Sequence, residues 1–151
     1  MEFKDLTSQI VFGETYELTM KELGKHIGTT PVRISKEAAG AGFHINGPQI
    51  WYYRWADGNP DNKFRLEIGF PVDQNKNHEK IKKLPGFRCA SVRVEGSWDQ
   101  FPQVYTKLIE DLAKEGFQPS EHCREVYHIC DPAHPENCVT EIQLGIKEKA
   151  V

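Results

Sequence analysis

Trp51, Tyr53 and Trp55 alternate through the short aromatic run from Ile50 to Trp55. In a strand, period two puts all three on one face, with Tyr52 and Arg54 on the other. The same rule groups Glu125, Tyr127 and Ile129 in a second run. Two tryptophans and a tyrosine offer large apolar rings that each carry a polar N–H or O–H, unlike the Val, Ile or Phe of an ordinary core. A carboxylate among such rings is costly unless a cation or hydrogen-bond donors meet it, and burial drives its pKa upward. A group of this kind either receives a cation or serves as a tunable acid/base. The plain alternatives are cross-strand packing for the aromatics, and for Glu125 an exposed position or a partnership with Arg88 or Arg124.

An internal repeat relates the two runs. Residues 42–72 lie over 116–146 at a constant shift of 74, which matches Gly42 with Gly116, Phe43 with Phe117, Tyr53 with Tyr127, Asp57 with Asp131, Glu67 with Glu141 and Ile68 with Ile142. Ile34 falls on Leu108, Leu18 on Val92 and Met20 on Val94, while Trp51 falls on Glu125. The expectation is a cleft between pseudo-symmetric halves, with Trp51 and Tyr53 opposite Glu125 and Tyr127. Glu67 and Glu141 lie opposite the apolar stripes of their strands, as a solvated sheet face or as structural ion pairs.

Tyr16 to Leu23 alternates as a half-buried strand. Thr30-Pro31 opens a helix that runs to about Ala41 and stops at Gly42. Strands follow at Ile50–Trp55 and Phe64–Val72. Residues 73–86 form a polar surface connector that ends in the Pro85-Gly86 turn. The order then recurs: a strand at Phe87–Glu95, a helix capped by Asp99 and ending at Glu115, and strands at Arg124–Ile129 and Val139–Ile146. Phe101, Tyr105, Leu108 and Leu112 mark the buried stripe of the second helix. Trp98 is a rim aromatic of the cleft or simple packing at the start of that helix. The fold class is α+β: a duplicated β-α-β-β unit, giving one largely antiparallel sheet with two helices and a cleft between the halves. The whole of 1–151 reads as one domain, with half-repeats at about 16–72 and 87–146.

Composition narrows the partners. The chain has 151 residues, 38% hydrophobic and 27% charged, with a net charge of −3, and so lacks the basic excess of a nucleic-acid surface. No apolar run approaches the ~18 residues of a membrane span, and Glu2, Lys4 and Asp5 interrupt any signal peptide, so the expected location is cytoplasmic. His122, Cys123, His128, Cys130, His134 and Cys138 resemble metal ligands in type but lack the short Cys-x2-Cys or His-x3–5-His spacings. The four cysteines are expected to be free thiols. Neither a metal nor a cofactor is called for, and hydrolase elbows, phosphate loops and dinucleotide fingerprints are absent.

The run Leu84-Pro85-Gly86-Phe87-Arg88-Cys89-Ala90-Ser91-Val92, the segment Gly96-Ser97-Trp98, Arg124-Glu125-Val126-Tyr127 with Asp131-Pro132, Thr140-Glu141-Ile142 and the first-half segment Glu67–Asp73 resemble the GyrI-like small-molecule-binding domain over about residues 10–147. The same fold serves as the effector-binding domain of AraC-type and multidrug-sensing MerR-type regulators. The resemblance implies a hydrophobic cleft in which a buried glutamate, here Glu125, meets cationic aromatic ligands. With the repeat filling about 16–146, no room is left for a helix-turn-helix, so no direct DNA contact is expected. Three functions compete. The first is a binding module for amphipathic, cationic aromatic compounds, lined by Trp51, Tyr53, Trp55, Trp98, Phe101, Tyr105, Glu125 and Tyr127. The second is a hydrolase of cyclopropane-bearing DNA-alkylating compounds, with Glu125 and Tyr127 as catalytic groups. The third is a protein that engages a partner such as DNA gyrase.

Overall fold

A computed structural model describes residues 1–24, 29–74 and 76–149; Asn75 of the expected connector lies outside them. In chain order the elements are β1 (Glu2–Leu6), β2 (Gln9–Leu18), α1 (Met20–Leu23), α2 (Thr29–Gly40), β3 (Gln49–Arg54), β4 (Phe64–Pro71), β5 (Ile81–Leu84), β6 (Phe87–Glu95), α3 (Phe101–Lys114), β7 (Phe117–Ile129) and β8 (Val139–Glu148). The strands form one open antiparallel sheet of eight, in the order β1-β6-β8-β7-β3-β4-β2-β5. The fold is α+β. Helix α2 packs on β2 and β4, and α3 packs on β7. Ile34 and Ala38 of α2 and Leu108 and Leu112 of α3 meet Leu66, Ile68 and Ile142 of the sheet in one buried core.

The two halves share their register, as a duplicated unit would. Trp51 pairs with Ile68 and Tyr53 with Leu66 between β3 and β4, while Glu125 pairs with Ile142 and Tyr127 with Thr140 between β7 and β8. The outer strands depart from the expected alignment. Tyr16 pairs with Leu66 and Glu14 with Ile68, whereas Val94 pairs with Thr140 and Val92 with Ile142. Val92 therefore corresponds to Glu14, not Leu18, and Val94 to Tyr16, not Met20. The expected strand at Tyr16–Leu23 ends early because Glu22 Oε1 accepts a hydrogen bond from the Thr19 backbone N–H at 3.1 Å, turning the chain into α1. Asp99 is not the cap of α3. Ser97 Oγ accepts from the Asp99 N–H at 3.2 Å and closes a 3-10 turn at Trp98–Gln100, from which α3 continues with a proline in its first turn.

Two strands were hidden in segments that read as tail and connector. β1 extends the sheet beyond β6, and β5, inside the connector, extends it beyond β2. Leu6 pairs with Phe87 and Gln9 with Leu84, so β1–β2 and β5–β6 run past one another as two long antiparallel chains. They change from one sheet edge to the other at Thr7-Ser8 and Pro85-Gly86. Arg124 of β7 holds this crossing from the face away from the helices: its Nη2 donates to the carbonyls of Thr7 at 3.2 Å and Pro85 at 2.6 Å. Gly86 is needed at the crossing because a Cβ there would stand 2.3 Å from the Leu6 carbonyl oxygen.

Candidate functional site

β3 and β7 are neighbours in the sheet, and Trp51 is the direct Cα partner of Glu125. The tryptophan and the carboxylate therefore sit side by side on one floor, rather than facing each other from opposite walls. Alternation puts Trp51, Tyr53, Glu125 and Tyr127 on the helix side. Tyr52 and Arg124 take the other face, where Tyr52 Oη bonds His122 Nδ1 at 2.5 Å and the Arg124 guanidinium lies 5.2 Å from the Phe87 ring centre.

Above the floor is a cleft of about 670 Å³. Phe101, Pro102 and Tyr105 of α3 and Trp98 of the preceding turn form one wall; Pro31, Val32 and Ser35 of α2, with Met20 and Leu23 of α1, form the other. The structure brings seven of the eight residues singled out from sequence to this cleft. The exception is Trp55. The chain leaves β3 at Arg54, Trp55 takes a left-handed backbone with φ 64°, and the residue is 54% exposed, with the Arg54 guanidinium 4.5 Å from its ring centre. Gln49, Phe70, Cys130 and the α1 and α2 residues join the lining unforeseen. Gln49 lies two residues before Trp51 on the same alternating face, because β3 begins one residue before the expected Ile50. Its Oε1 accepts from Trp51 Nε1 at 2.5 Å and fixes the indole.

Glu125 is 6% exposed. None of the described residues lining the cleft is cationic. Its carboxylate instead accepts three tyrosine hydroxyls. Tyr127 at 2.6 Å and Tyr53 at 3.2 Å donate to Oε1, and Tyr105 at 2.5 Å donates to Oε2. Burial raises the Glu125 pKa, and the three hydrogen bonds oppose that rise without cancelling it. Burial and the adjacent carboxylate push all three tyrosines well above their ordinary range, so they remain donors. Trp51 and Trp98 meet the Tyr127 ring edge-on, with centroids 5.9 and 6.2 Å away. The floor is thus aromatic, with a single hydrogen-bonded carboxyl group at its centre.

The remaining candidates lie elsewhere. Glu67 pairs with Arg65 at 3.3 Å. Glu141 bonds Lys4, Ser91 and Gln143; burial alone would raise its pKa, yet these bonds bring it down to about 2. Neither arginine proposed as a partner meets Glu125: Arg88 lies over Phe3 and Phe117, and Arg124 is on the far face. The four cysteines are free. Among the described residues no group of three His, Cys, Asp or Glu side chains is placed to hold a metal. No described helix is long and apolar enough to cross a membrane.

The model of the GyrI-like small molecule binding domain matches residues 1–147. This chain belongs to that family. The GyrI-like fold recurs in EcmrR in its complex with DNA (TM-score 0.76, 17% identity, 98% of this chain and 57% of that one). It recurs in the isolated EcmrR C-terminal domain (TM-score 0.73, 21% identity, 98% and 97%). SAV2435 bound to tetraphenylphosphonium shares it as well (TM-score 0.65, 16% identity, 97% and 93%). The GyrI-like chain thus spans little more than half of EcmrR as it appears in the DNA complex. Curated protein sequences give no match.

Proposed function

We propose that this GyrI-like domain reversibly binds amphipathic aromatic cations in the cleft above β3 and β7. The observation that carries this reading is Glu125: a carboxylate that is 6% exposed, set among aromatic rings, with no cation among the described lining residues. The rings supply apolar contact area, and a desolvated cation over aromatic faces gains about 2 kcal/mol. SAV2435, which shares the fold, is bound to an aromatic phosphonium. The test uses two ions of one shape and opposite charge, tetraphenylphosphonium and tetraphenylborate, titrated while tryptophan fluorescence is followed. The wild type should bind the cation far more tightly than the anion, and Glu125→Gln should lose about thirtyfold of the cation affinity. Equal binding of both ions, or an unchanged Glu125→Gln, sinks the reading.

The raised pKa of Glu125 also suits a general acid, and this one feature favours the hydrolase alternative. Against it, Tyr53 and Tyr127 both donate to the carboxylate itself rather than to a vacant position for a developing oxyanion. Product formation from a cyclopropane-bearing alkylating compound, lost in both Glu125→Gln and Tyr127→Phe, would revive that alternative. A gyrase partner has no support in the geometry or in the relatives.

A further inference from the structure

Three hydroxyl donors on one carboxylate fit its ionised form, which has acceptors only. They fit the protonated form only if one tyrosine can turn its own hydrogen elsewhere. Tyr105 has that freedom. Its Oη lies 2.5 Å from Glu125 Oε2 and 3.3 Å from the buried Cys123 Sγ, in a contact where either atom can be the donor. A proton on Oε2 would be donated to Tyr105 Oη, and the tyrosine hydrogen would turn to Cys123. Among the described residues, no charged group competes from the elements around Glu125. β3 presents Trp51 and Tyr53, and β8 presents Ile142 as its Cα partner. β7 itself presents Cys123 and Tyr127, α3 presents Tyr105, and α2 presents Pro31, Val32 and Ser35.

We infer that cation binding in this cleft is an exchange, in which Glu125 gives up a proton as the ligand cation enters, and that Tyr105 and Cys123 are the positioning pair that lets the empty cleft hold this proton. The inference rests on the cation reading above. In the empty cleft, burial without a counter-charge favours the neutral acid, consistent with the upward pKa shift of Glu125. A bound cation favours the carboxylate: the proton passes to the buffer, and the Tyr105 hydrogen returns to Oε2. The sign follows from linkage. The pKa of Glu125 is high in the free protein and lower in the complex, so affinity rises with pH below the free-protein pKa and levels above it.

Tetraphenylphosphonium is the probe, because it carries a permanent charge and does not titrate. Its binding is measured by calorimetry between about pH 5 and 8, in two buffers of different ionisation heat, so that the heat difference counts released protons. Wild type should bind about tenfold more tightly per pH unit on the acid side, release up to about one proton, and level off at higher pH. Glu125→Gln should show neither slope nor release. Cys123→Ala, once shown to be folded by circular dichroism, should move the midpoint to lower pH, and Cys123→Ser, which restores an acceptor, should move it back. Tyr105→Phe removes a donor that favours the carboxylate and should instead raise the midpoint, which keeps the pair testable if the cysteine variants do not fold. Tight binding with a flat profile and no proton release overturns the exchange while leaving the cation reading intact. A midpoint unmoved in both Cys123→Ala and Tyr105→Phe overturns the role of the pair. No binding at any pH removes both the exchange and the reading beneath it.

Discussion

Burying Glu125 without a counter-charge works against the fold, and the sign of that effect can be checked without any ligand. The Glu125 pKa in the folded protein is raised above the ordinary 4.5. The folded state therefore favours the protonated acid. Its contribution is fully present below about pH 4.5 and is lost as pH rises through the higher folded value. Glu125→Gln should accordingly stabilise the protein more at pH 8 than at pH 5, read as the difference in denaturation midpoints between the two pH values. A gain that is equal at both would contradict the burial argument. The residues of this floor were legible because alternation and the 74-residue offset both point to Trp51, Tyr53, Glu125 and Tyr127. Trp55 was not, since the left-handed turn that rotates it out of the face depends on where β3 stops. The link from Tyr105 to the carboxylate was also invisible, because it spans a helix and a strand whose distance only the fold sets.

At the level of elements, Arg124 is a structural pin with no part in the cleft. It is 3% exposed, burial lowers its pKa, and its Nη2 spans the carbonyls of both crossing chains. Both bonds come from one nitrogen held at the end of a rigid guanidinium plane, a placement that lysine's flexible stem does not fix. Arg124→Lys should cost about 3 kcal/mol in urea denaturation, the scale for a disturbed buried charge. Tetraphenylphosphonium affinity should stay unchanged, because the side chain faces away from the helices. An affinity loss as large as the stability loss would show that the two faces are coupled. The crossing itself escaped the sequence reading for a physical reason. β1 (Glu-Phe-Lys-Asp-Leu) and β5 (Ile-Lys-Lys-Leu) are edge strands and carry the charges that keep an edge from pairing with other molecules. Those charges give them the look of a tail and a surface connector. Of the inner strands, β3, β4, β6 and β8 match the expected ranges nearly to their ends, whereas β2 and β7 each begin seven residues before the expected start, at Gln9 and Phe117.

Across the whole molecule, the N-terminal strand is tied to the C-terminal half. β1 pairs with β6, and Lys4 donates to Glu141 of β8 at 3.0 Å. The cleft is built without it, since no lining residue precedes Met20. Stability and binding should therefore separate when residues 1–7 are removed. The deletion uncovers the backbone of β6, takes Lys4 from Glu141, and removes the Thr7 carbonyl that Arg124 holds. A buried charge left half-partnered and an unblocked edge both act against the isolated fold. The shortened chain should unfold at lower urea and associate as its concentration rises, seen by light scattering, while its folded fraction binds tetraphenylphosphonium as the full chain does. A truncated protein that stays monomeric and equally stable would mean that β1 adds little beyond its own pairing. One that folds but loses the cation would mean that the sheet transmits strain from its edge to the β3–β7 floor.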